Sequence, residues 1–143
     1  MPLVSFHFNV PDPVQYACRL LRKATRQGSN IVVSAAAAEL AALDKALWTF
    51  DPIEFIPHIR LAPGHVLPER LARTPVCLAE HATDAPGREV LVNLGHAAPE
   101  GHEAFERVVE IVSTREDDRA AARQRWRGYA AAGFVIERHE VGA

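Results

Sequence analysis

The sequence has few cysteines, no long apolar run and no excess of basic residues, and each shortage excludes a class of protein. Its two cysteines, Cys18 and Cys77, belong to no CxxC pair, so we expect buried free thiols in a reducing compartment. No stretch approaches the ~20 apolar residues that cross a bilayer, and no basic segment followed by an apolar one opens the chain. We therefore expect a cytoplasmic protein without a membrane partner.

The charge balance and the histidine spacing argue against two further functions. A net charge of −2 and a pI near 6.4 leave no global basic field of the kind that a duplex-DNA-binding protein usually shows. The seven histidines have no partner at i+4 and form no HExxH motif, so we expect neither a metal nor a cofactor. No nucleophile, acid or base stands in a recognisable catalytic arrangement, and we expect no enzyme.

Short apolar strands alternate with amphipathic helices along the 143 residues. Strands are predicted at 3–9, 30–34, 76–79, 89–94, 107–112 and 134–139, and helices at 12–27, 35–48 and 115–133. The strand–helix–strand–helix order predicts right-handed βαβ units. We therefore expect an α/β fold: one Rossmann-like, three-layer domain over 1–143 with a mostly parallel central sheet.

The phosphate-binding loop of nucleotide-binding α/β proteins is missing. The first strand is followed by NVPDP (9–13), and the chain contains neither GxGxxG nor GxxxxGK[ST]. Without glycines the backbone cannot wrap a pyrophosphate, and Asp12 would repel one. The fold is thus expected to lack nucleotide binding.

The stretch REDDRAAARQRWRGYAAAGF (115–134) predicts a helix that carries a cationic stripe. At about 100° per residue, Arg119, Arg123 and Arg127 fall within roughly 80° of one another, and Trp126 lies beside them. One interpretation is a solvated face whose cations pair with acids of the first turn. The other is a site for phosphates or for an acidic, aromatic-ended peptide, because arginine binds carboxylates bidentately and tryptophan offers an apolar platform.

The ends and the opposite side of this helix also follow from the sequence. Ser113 or Thr114 is the predicted N-cap, and Gly133 is the predicted C-terminal stop. The side turned toward the sheet is predicted to consist of small and aromatic residues: Ala121, Tyr129 and Ala132.

Two other segments leave alternatives open. The proline-broken TFDPIEFIPHIR (49–60) is either a core-covering loop with an edge strand or an exposed binding surface. The first helix carries a basic face, formed by Arg19, Arg22, Lys23 and Arg26. That face is either solvated or makes weak contact with nucleic acid.

Several strings resemble those of a known family. They are ALWTFDP (46–52), FIPH (55–58), VLVNL (90–94), FERVVEIV (105–112) and RWRGYAAAGF (125–134). In this order and spacing they resemble the chi subunit of bacterial DNA polymerase III, over most of the chain except 61–88.

The resemblance implies a non-catalytic accessory subunit of the clamp-loader assembly with a Rossmann-like fold. Chi proteins bind the acidic C-terminal tail of the single-stranded DNA-binding protein, an aspartate run that ends in proline and phenylalanine. Carried over residue by residue, the tail-binding positions are Val112, Arg119, Arg123, Trp126 and Arg127. A direct single-stranded nucleic-acid-binding module that uses the same helix is the alternative function.

The resemblance also implies a second partner. Chi proteins bind the psi subunit through the proline-broken segment, which corresponds here to Trp48, Phe50 and Phe55. Another clamp-loader subunit, self-association or the chain's own loop could cover the same surface instead.

Overall fold

The computed structural model of the protein describes residues 1–141 and contains one seven-stranded sheet. The strands are β1 (Leu3–Val10), β2 (Ile31–Ser34), β3 (His58–Leu61), β4 (Val76–Ala79), β5 (Val90–Asn93), β6 (Arg107–Ser113) and β7 (Ile136–Glu140). Their order in the sheet is β3-β4-β2-β5-β6-β1-β7, and each neighbouring pair is parallel. The predicted α/β class is confirmed, and β7 is an edge strand as expected.

Three helices cover the two faces of this sheet. They are α1 (Pro13–Arg26), α2 (Ala37–Thr49) and α3 (Glu116–Ala131). Residues of β2 alternate between the two cores: Ile31 and Val33 pack with α1 and α2, whereas Val32 belongs to the core on the side of α3. All four residues of β2 are buried, as a parallel strand covered on both faces requires.

The first helix begins as its sequence predicts. Asp12 is the N-cap, and its side chain accepts a hydrogen bond from the backbone N–H of Gln15 at 3.2 Å. Pro13 follows at the first helical position, and Gly28 lies beyond the end with φ +81°. Asp12 therefore occupies the helix N-terminus where a nucleotide-binding protein would place a phosphate.

The connections make the ends of β1 and β6 the natural place for a ligand. These strands are neighbours, but α1 leaves β1 on one face of the sheet and α3 leaves β6 on the other. In open α/β sheets the crevice outside the carboxyl ends at such a point is where ligands bind. Here β1 ends in an irregularity, since its register with β6 shifts between His7 and Val10 and Asn9 has φ 60°.

The start of α3 differs from the prediction. Neither Ser113 nor Thr114 is the N-cap; Arg115 takes that position, and its side chain does not cap the backbone N–H groups of the first turn. Ser113 still belongs to β6, where it pairs with Val10 of β1, so its hydroxyl accepts the N–H of Arg115 at 3.1 Å instead.

The end of α3 agrees with the prediction. Gly133 has φ +86°, and its N–H bonds to the carbonyl of Ala130 at 3.1 Å. The N–H of Phe134 reaches the carbonyl of Tyr129 at 3.0 Å, and the rings of these two residues lie 5.5 Å apart. This is the Schellman arrangement, in which a left-handed glycine lets the chain turn back onto the last helical turn.

Candidate functional site

A groove of about 600 Å³ lies between α3 and the carboxyl ends of β1, β6 and β7. Eleven residues line it: Phe6, Phe8, Asn9, Val112, Arg119, Ala122, Arg123, Trp126, Arg127, Arg138 and Glu140. All five residues predicted from the helix and the resemblance are among them. The structure thus brings the predicted residues together at the place where the topology leaves a crevice.

The floor of this groove is apolar. Trp126 is half-buried, and its ring centroid lies 5.0 Å from that of Phe6, with the planes inclined by 49°. Val112 and Phe6 are both buried, so they offer only the inner wall of the groove. The strand pattern places Phe6 on the α3 face, which is why a β1 residue meets an α3 residue here.

One rim of the groove, which we call the helix rim, consists of Arg119, Arg123 and Arg127. Arg123 donates to Glu116 with an N–O distance of 2.9 Å, and Arg119 lies 3.9 Å from the same carboxylate. The hydrogen bond and charge of Arg123 hold the pKa of the Glu116 carboxyl below its usual range. Within residues 1–141, Arg127 forms no ion pair. The solvated-face interpretation therefore accounts for two of the three arginines.

The opposite rim, which we call the strand rim, was not predicted. It carries Arg138, whose guanidinium carbon lies 4.8 Å from the centre of the Phe8 ring. In the sheet β7 lies beside β1, with Phe6 opposite Arg138 and Phe8 opposite Glu140. The alternation of β1 signals that Phe6 and Phe8 share a face, but only the strand order shows that β7 borders them.

A buried network holds α3 against the sheet below the groove. Glu110 of β6 accepts hydrogen bonds from Arg125 at 2.9 Å, Tyr129 at 2.8 Å and Asn93 at 2.8 Å. Arg125 also donates to the carbonyl of His96 at 2.6 Å. Burial raises the pKa of the Glu110 carboxyl, and the charge of Arg125 opposes that rise.

The network corrects the predicted inner side of α3. Tyr129 is buried as expected, but Ala132 is exposed, and the residues buried beside Tyr129 are Ala122 and Arg125. Arg125 can be buried on the inner side of α3 because the carboxylate of Glu110 neutralises its charge. The acid inside the apolar run RVVEIV was the signal that could have revealed this pair.

At the first turn of α3, two of its acids and a histidine from the loop after β5 form the one trio of side chains in residues 1–141 whose ligand atoms lie close enough to share a metal ion. Its members, His96, Asp117 and Asp118, have ligand atoms within 4.8 Å of one another. Each acid already has partners, since Asp118 bonds to Ser113 and His96 and Asp117 pairs with Arg115 at 3.2 Å. We interpret the trio as the hydrogen-bonded start of the helix.

The second predicted surface lies at the other edge of the sheet, beside β3. Trp48 is 62% exposed and Phe55 is 51% exposed, and their ring centroids are 5.1 Å apart. His58 packs against both rings and bonds to Asp44 at 3.0 Å. The proline-broken segment therefore contributes an edge strand and Phe55, and the last turn of α2 contributes Trp48 to the exposed aromatic pair.

The basic face of α1 restrains this surface. Arg22 pairs with Asp51 at 3.3 Å and Arg26 pairs with Glu54, so two of the four cations hold the loop. Phe50 is half-buried, with the Arg22 guanidinium carbon 4.9 Å from its ring centre. Of the three aromatic residues predicted for the partner surface, Phe50 is thus covered by the chain itself.

The fold and the groove together define an open parallel α/β protein without a phosphate-binding loop, in which a basic and aromatic groove occupies the ligand crevice. A sequence model of the family described as DNA polymerase III chi subunit, HolC, matches residues 1–137. The chain therefore belongs to the DNA polymerase III chi subunit family, whose members are replication accessory subunits.

Individual relatives agree with this assignment. The DNA polymerase III subunit chi of Pseudomonas aeruginosa is 36% identical over 129 residues, which are 90% of this chain and 86% of the relative. The subunit chi of Haemophilus influenzae is 25% identical over 130 residues, covering 90% and 87%. That of Escherichia coli is 26% identical over 123 residues, covering 85% and 81%.

A solved structure of a different protein shares the fold. The C-terminal domain of S. cerevisiae Dbp5 matches with a TM-score of 0.58 over 100% of this chain and 92% of that domain, at 13% identity. This likeness concerns the fold alone. No helix within residues 1–141 is both long and apolar enough to cross a membrane.

Proposed function

We propose that this chain is a non-catalytic, cytoplasmic adaptor that binds the acidic C-terminal tail of the single-stranded DNA-binding protein and links it to the clamp loader. One observation carries the proposal: Val112, Arg119, Arg123, Trp126 and Arg127 line a single groove that has an apolar floor and a cationic rim. A peptide that ends in phenylalanine and is preceded by aspartates has the complementary chemistry.

The floor would hold the terminal phenylalanine. An aromatic side chain on Trp126 and Phe6 buries apolar area in a concave, desolvated position, where an anchor contributes on the order of 1–3 kcal/mol. Val112 is buried and lines the inner wall of the same groove, so it would add apolar contact to this site.

The helix rim would hold carboxylates of the same peptide. Guanidinium groups bind carboxylates through two parallel hydrogen bonds, and a ligand carboxylate at Arg123 would take the place of Glu116. Because this rim is exposed, salt screens it, and binding should weaken as the ionic strength rises.

The experiment is a titration of a fluorescent, acidic, phenylalanine-ended peptide at low and high salt. We expect Arg123→Glu to lower the affinity by at least about tenfold, because it reverses a charge that contacts a ligand carboxylate. Arg70→Glu is the matched control: it makes the same change on an exposed arginine of a short turn (Glu69–Leu71) outside the groove.

Two results would contradict the proposal. If both variants bind the peptide as the wild type does, the helix rim is only a solvated face. If the wild type does not bind the peptide but binds a single-stranded oligonucleotide with an affinity that falls as salt rises, the direct nucleic-acid-binding alternative applies.

The link to the clamp loader would use the exposed pair Trp48 and Phe55. A psi subunit or another clamp-loader subunit could bury this exposed aromatic pair at the edge of the sheet.

We expect Phe55→Ala to weaken binding of purified clamp-loader proteins in a pairwise titration. Val66→Ala, which trims an apolar side chain that is 86% exposed and lies outside this pair, should not. Equal losses in both variants, or none in either, would rule out this surface.

A further inference from the structure

Arg138 on the strand rim is a cation whose hydrogen-bonding edge is unused. Its guanidinium lies over the face of Phe8, at 4.8 Å from the ring centre, and forms no ion pair or side-chain hydrogen bond with residues 1–141. Stacking occupies the flat face of a guanidinium and leaves its in-plane N–H groups free. The side chain is thus held in place while its donors remain available to a ligand.

Arg138 differs in this respect from two of the three arginines on the helix rim. On the helix rim, Arg119 and Arg123 share the carboxylate of Glu116, which a ligand has to displace. On the strand rim, Glu140 lines the same groove but makes no ion pair with Arg138. Arg127 of the helix rim is also without an ion pair in residues 1–141, but among the arginines of the groove only Arg138 is stacked on an aromatic ring, so the strand rim offers a bidentate donor that is both available and held in place.

The position of Arg138 fixes which part of a peptide it can reach. Phe8 lies two residues beyond Phe6 along β1, a separation of about 6.7 Å at the rise of a strand. An extended peptide whose terminal ring rests against Phe6 and Trp126 has the same rise per residue. Laid along β1 with its preceding residues toward the carboxyl end of the strand, such a peptide brings the side chains two to three positions before the ring level with Phe8 and Arg138.

We propose that Arg138 is a specificity-determining residue of the groove and binds the acidic side chain two to three positions before the terminal aromatic residue of the ligand. The inference rests on the proposed function and adds to it a second cationic contact, on the opposite side of the apolar floor. The groove then selects ligands by the spacing between the aromatic end and the acid, and not by net negative charge alone.

The test is a double-mutant cycle between Arg138 and the peptide. Arg138→Gln should weaken the acidic, phenylalanine-ended peptide by about three- to tenfold, the scale of one partly exposed charge-assisted contact. Replacing the aspartates two and three positions before the phenylalanine by asparagine should weaken the wild type similarly. The same replacement should leave the Arg138→Gln variant nearly unaffected, because its partner is already gone.

Two further variants test whether Arg138 binds the acidic side chain through a specific contact or only adds to the positive electrostatic potential of the protein. Arg60→Gln makes the same change on β3, the opposite edge strand, where Arg60 is also exposed, and should leave the affinity unchanged. Arg138→Lys keeps the charge but loses the planar fork, so it should recover less than half of the lost binding free energy.

The outcomes are distinct. Wild-type affinity in Arg138→Gln, full affinity in Arg138→Lys, or an equal loss in Arg60→Gln would overturn the assignment while leaving the proposed function in place. If the wild type does not bind the peptide at all, the proposed function fails and this inference fails with it.

Discussion

Arg123 and Arg125 are two residues apart on α3, and each forms an ion pair 2.9 Å long, yet the pairs serve different ends. The Arg125 side chain is 4% exposed and its partner Glu110 is 0% exposed; for Arg123 and Glu116 the values are 53% and 72%. An exposed pair gains little because water solvates both charges, whereas breaking a buried pair leaves a charge without a partner. Distance alone therefore does not tell a fixed contact from an exchangeable one.

The difference assigns separate tasks to the two sides of α3. The buried pair fixes the position of the helix on β6, and through it the position of the groove's helix rim. The exposed pair can open, which a ligand carboxylate requires. Four experiments test this division of roles, and they follow in order of decreasing effect.

Removing the buried cation should have the largest effect. We expect Arg125→Met to lower the free energy of unfolding by about 3–5 kcal/mol, because Glu110 is left buried without its counter-charge. Urea unfolding measures it. The double variant Glu110→Leu/Arg125→Leu should recover part of this loss, since it removes both charges, although Asn93 and Tyr129 then lack an acceptor. A loss below about 1 kcal/mol in Arg125→Met would show that the pair is solvated.

Removing the neutral donor to the same carboxylate should cost less. Tyr129→Phe deletes the hydroxyl that donates to Glu110 at 2.8 Å but leaves the ring, which contacts Phe6 and Phe134. We expect a loss of about 1–3 kcal/mol, the value of a hydrogen bond to a charged group. Because Glu110 keeps Arg125 and Asn93, the loss should stay below that of Arg125→Met, and the reverse order would contradict the comparison.

The exposed cation should matter to binding and not to folding. Arg123→Gln should leave the urea midpoint within error of the wild type while it weakens the acidic peptide, because the exposed pair with Glu116 adds little to stability. Parallel unfolding and peptide titrations of one preparation measure both. A shifted midpoint with unchanged affinity would reverse the assignment of the two arginines.

Salt should affect only the exposed pair, and the exposed pair should also respond to pH through Glu116. The coupling between Glu116 and Arg123, from a double-mutant cycle, should fade between low and high ionic strength. Because Arg123 lowers the pKa of Glu116, that coupling is fully present above the usual pKa of a glutamate and is lost as the pH falls through the lowered value. The destabilisation caused by Arg125→Met should not change with salt. If the destabilisation caused by Arg125→Met depended on salt, the result would contradict the burial of the pair formed by Glu110 and Arg125.

The sequence predicted those parts of the structure that local spacing determines. The three helices follow from their amphipathic patterns, and the helix rim follows because Arg119, Arg123 and Arg127 recur at helical intervals. Asp12 and Gly133 mark helix ends by local chemistry. All of these features depend on residues a few positions apart.

The features that were missed depend on which strands become neighbours. Arg125 faces away from the predicted stripe, and its partner Glu110 lies in an apolar strand that gives no sign of α3 above it. Arg138 meets Phe8 because β7 inserts beside β1 at the edge of the sheet. The prolines of 49–60 left an edge strand as one of two alternatives, and only the sheet order places β3 there, directly after Pro57. Sheet order depends on contacts between residues that are far apart in the sequence, so local patterns in one sequence do not reveal it.

The strand order has a mechanical consequence. The groove lies beside β7 and the exposed pair Trp48 and Phe55 lies beside β3, so the two proposed surfaces are at opposite edges of the sheet. Six strand-to-strand intervals of about 4.8 Å separate these edges, or roughly 29 Å. Two partners bound at the same time would be held apart by the width of the sheet. A pull between them would act along the hydrogen bonds that join the strands, and because the ladders follow one another from edge to edge, each of them would bear the full load.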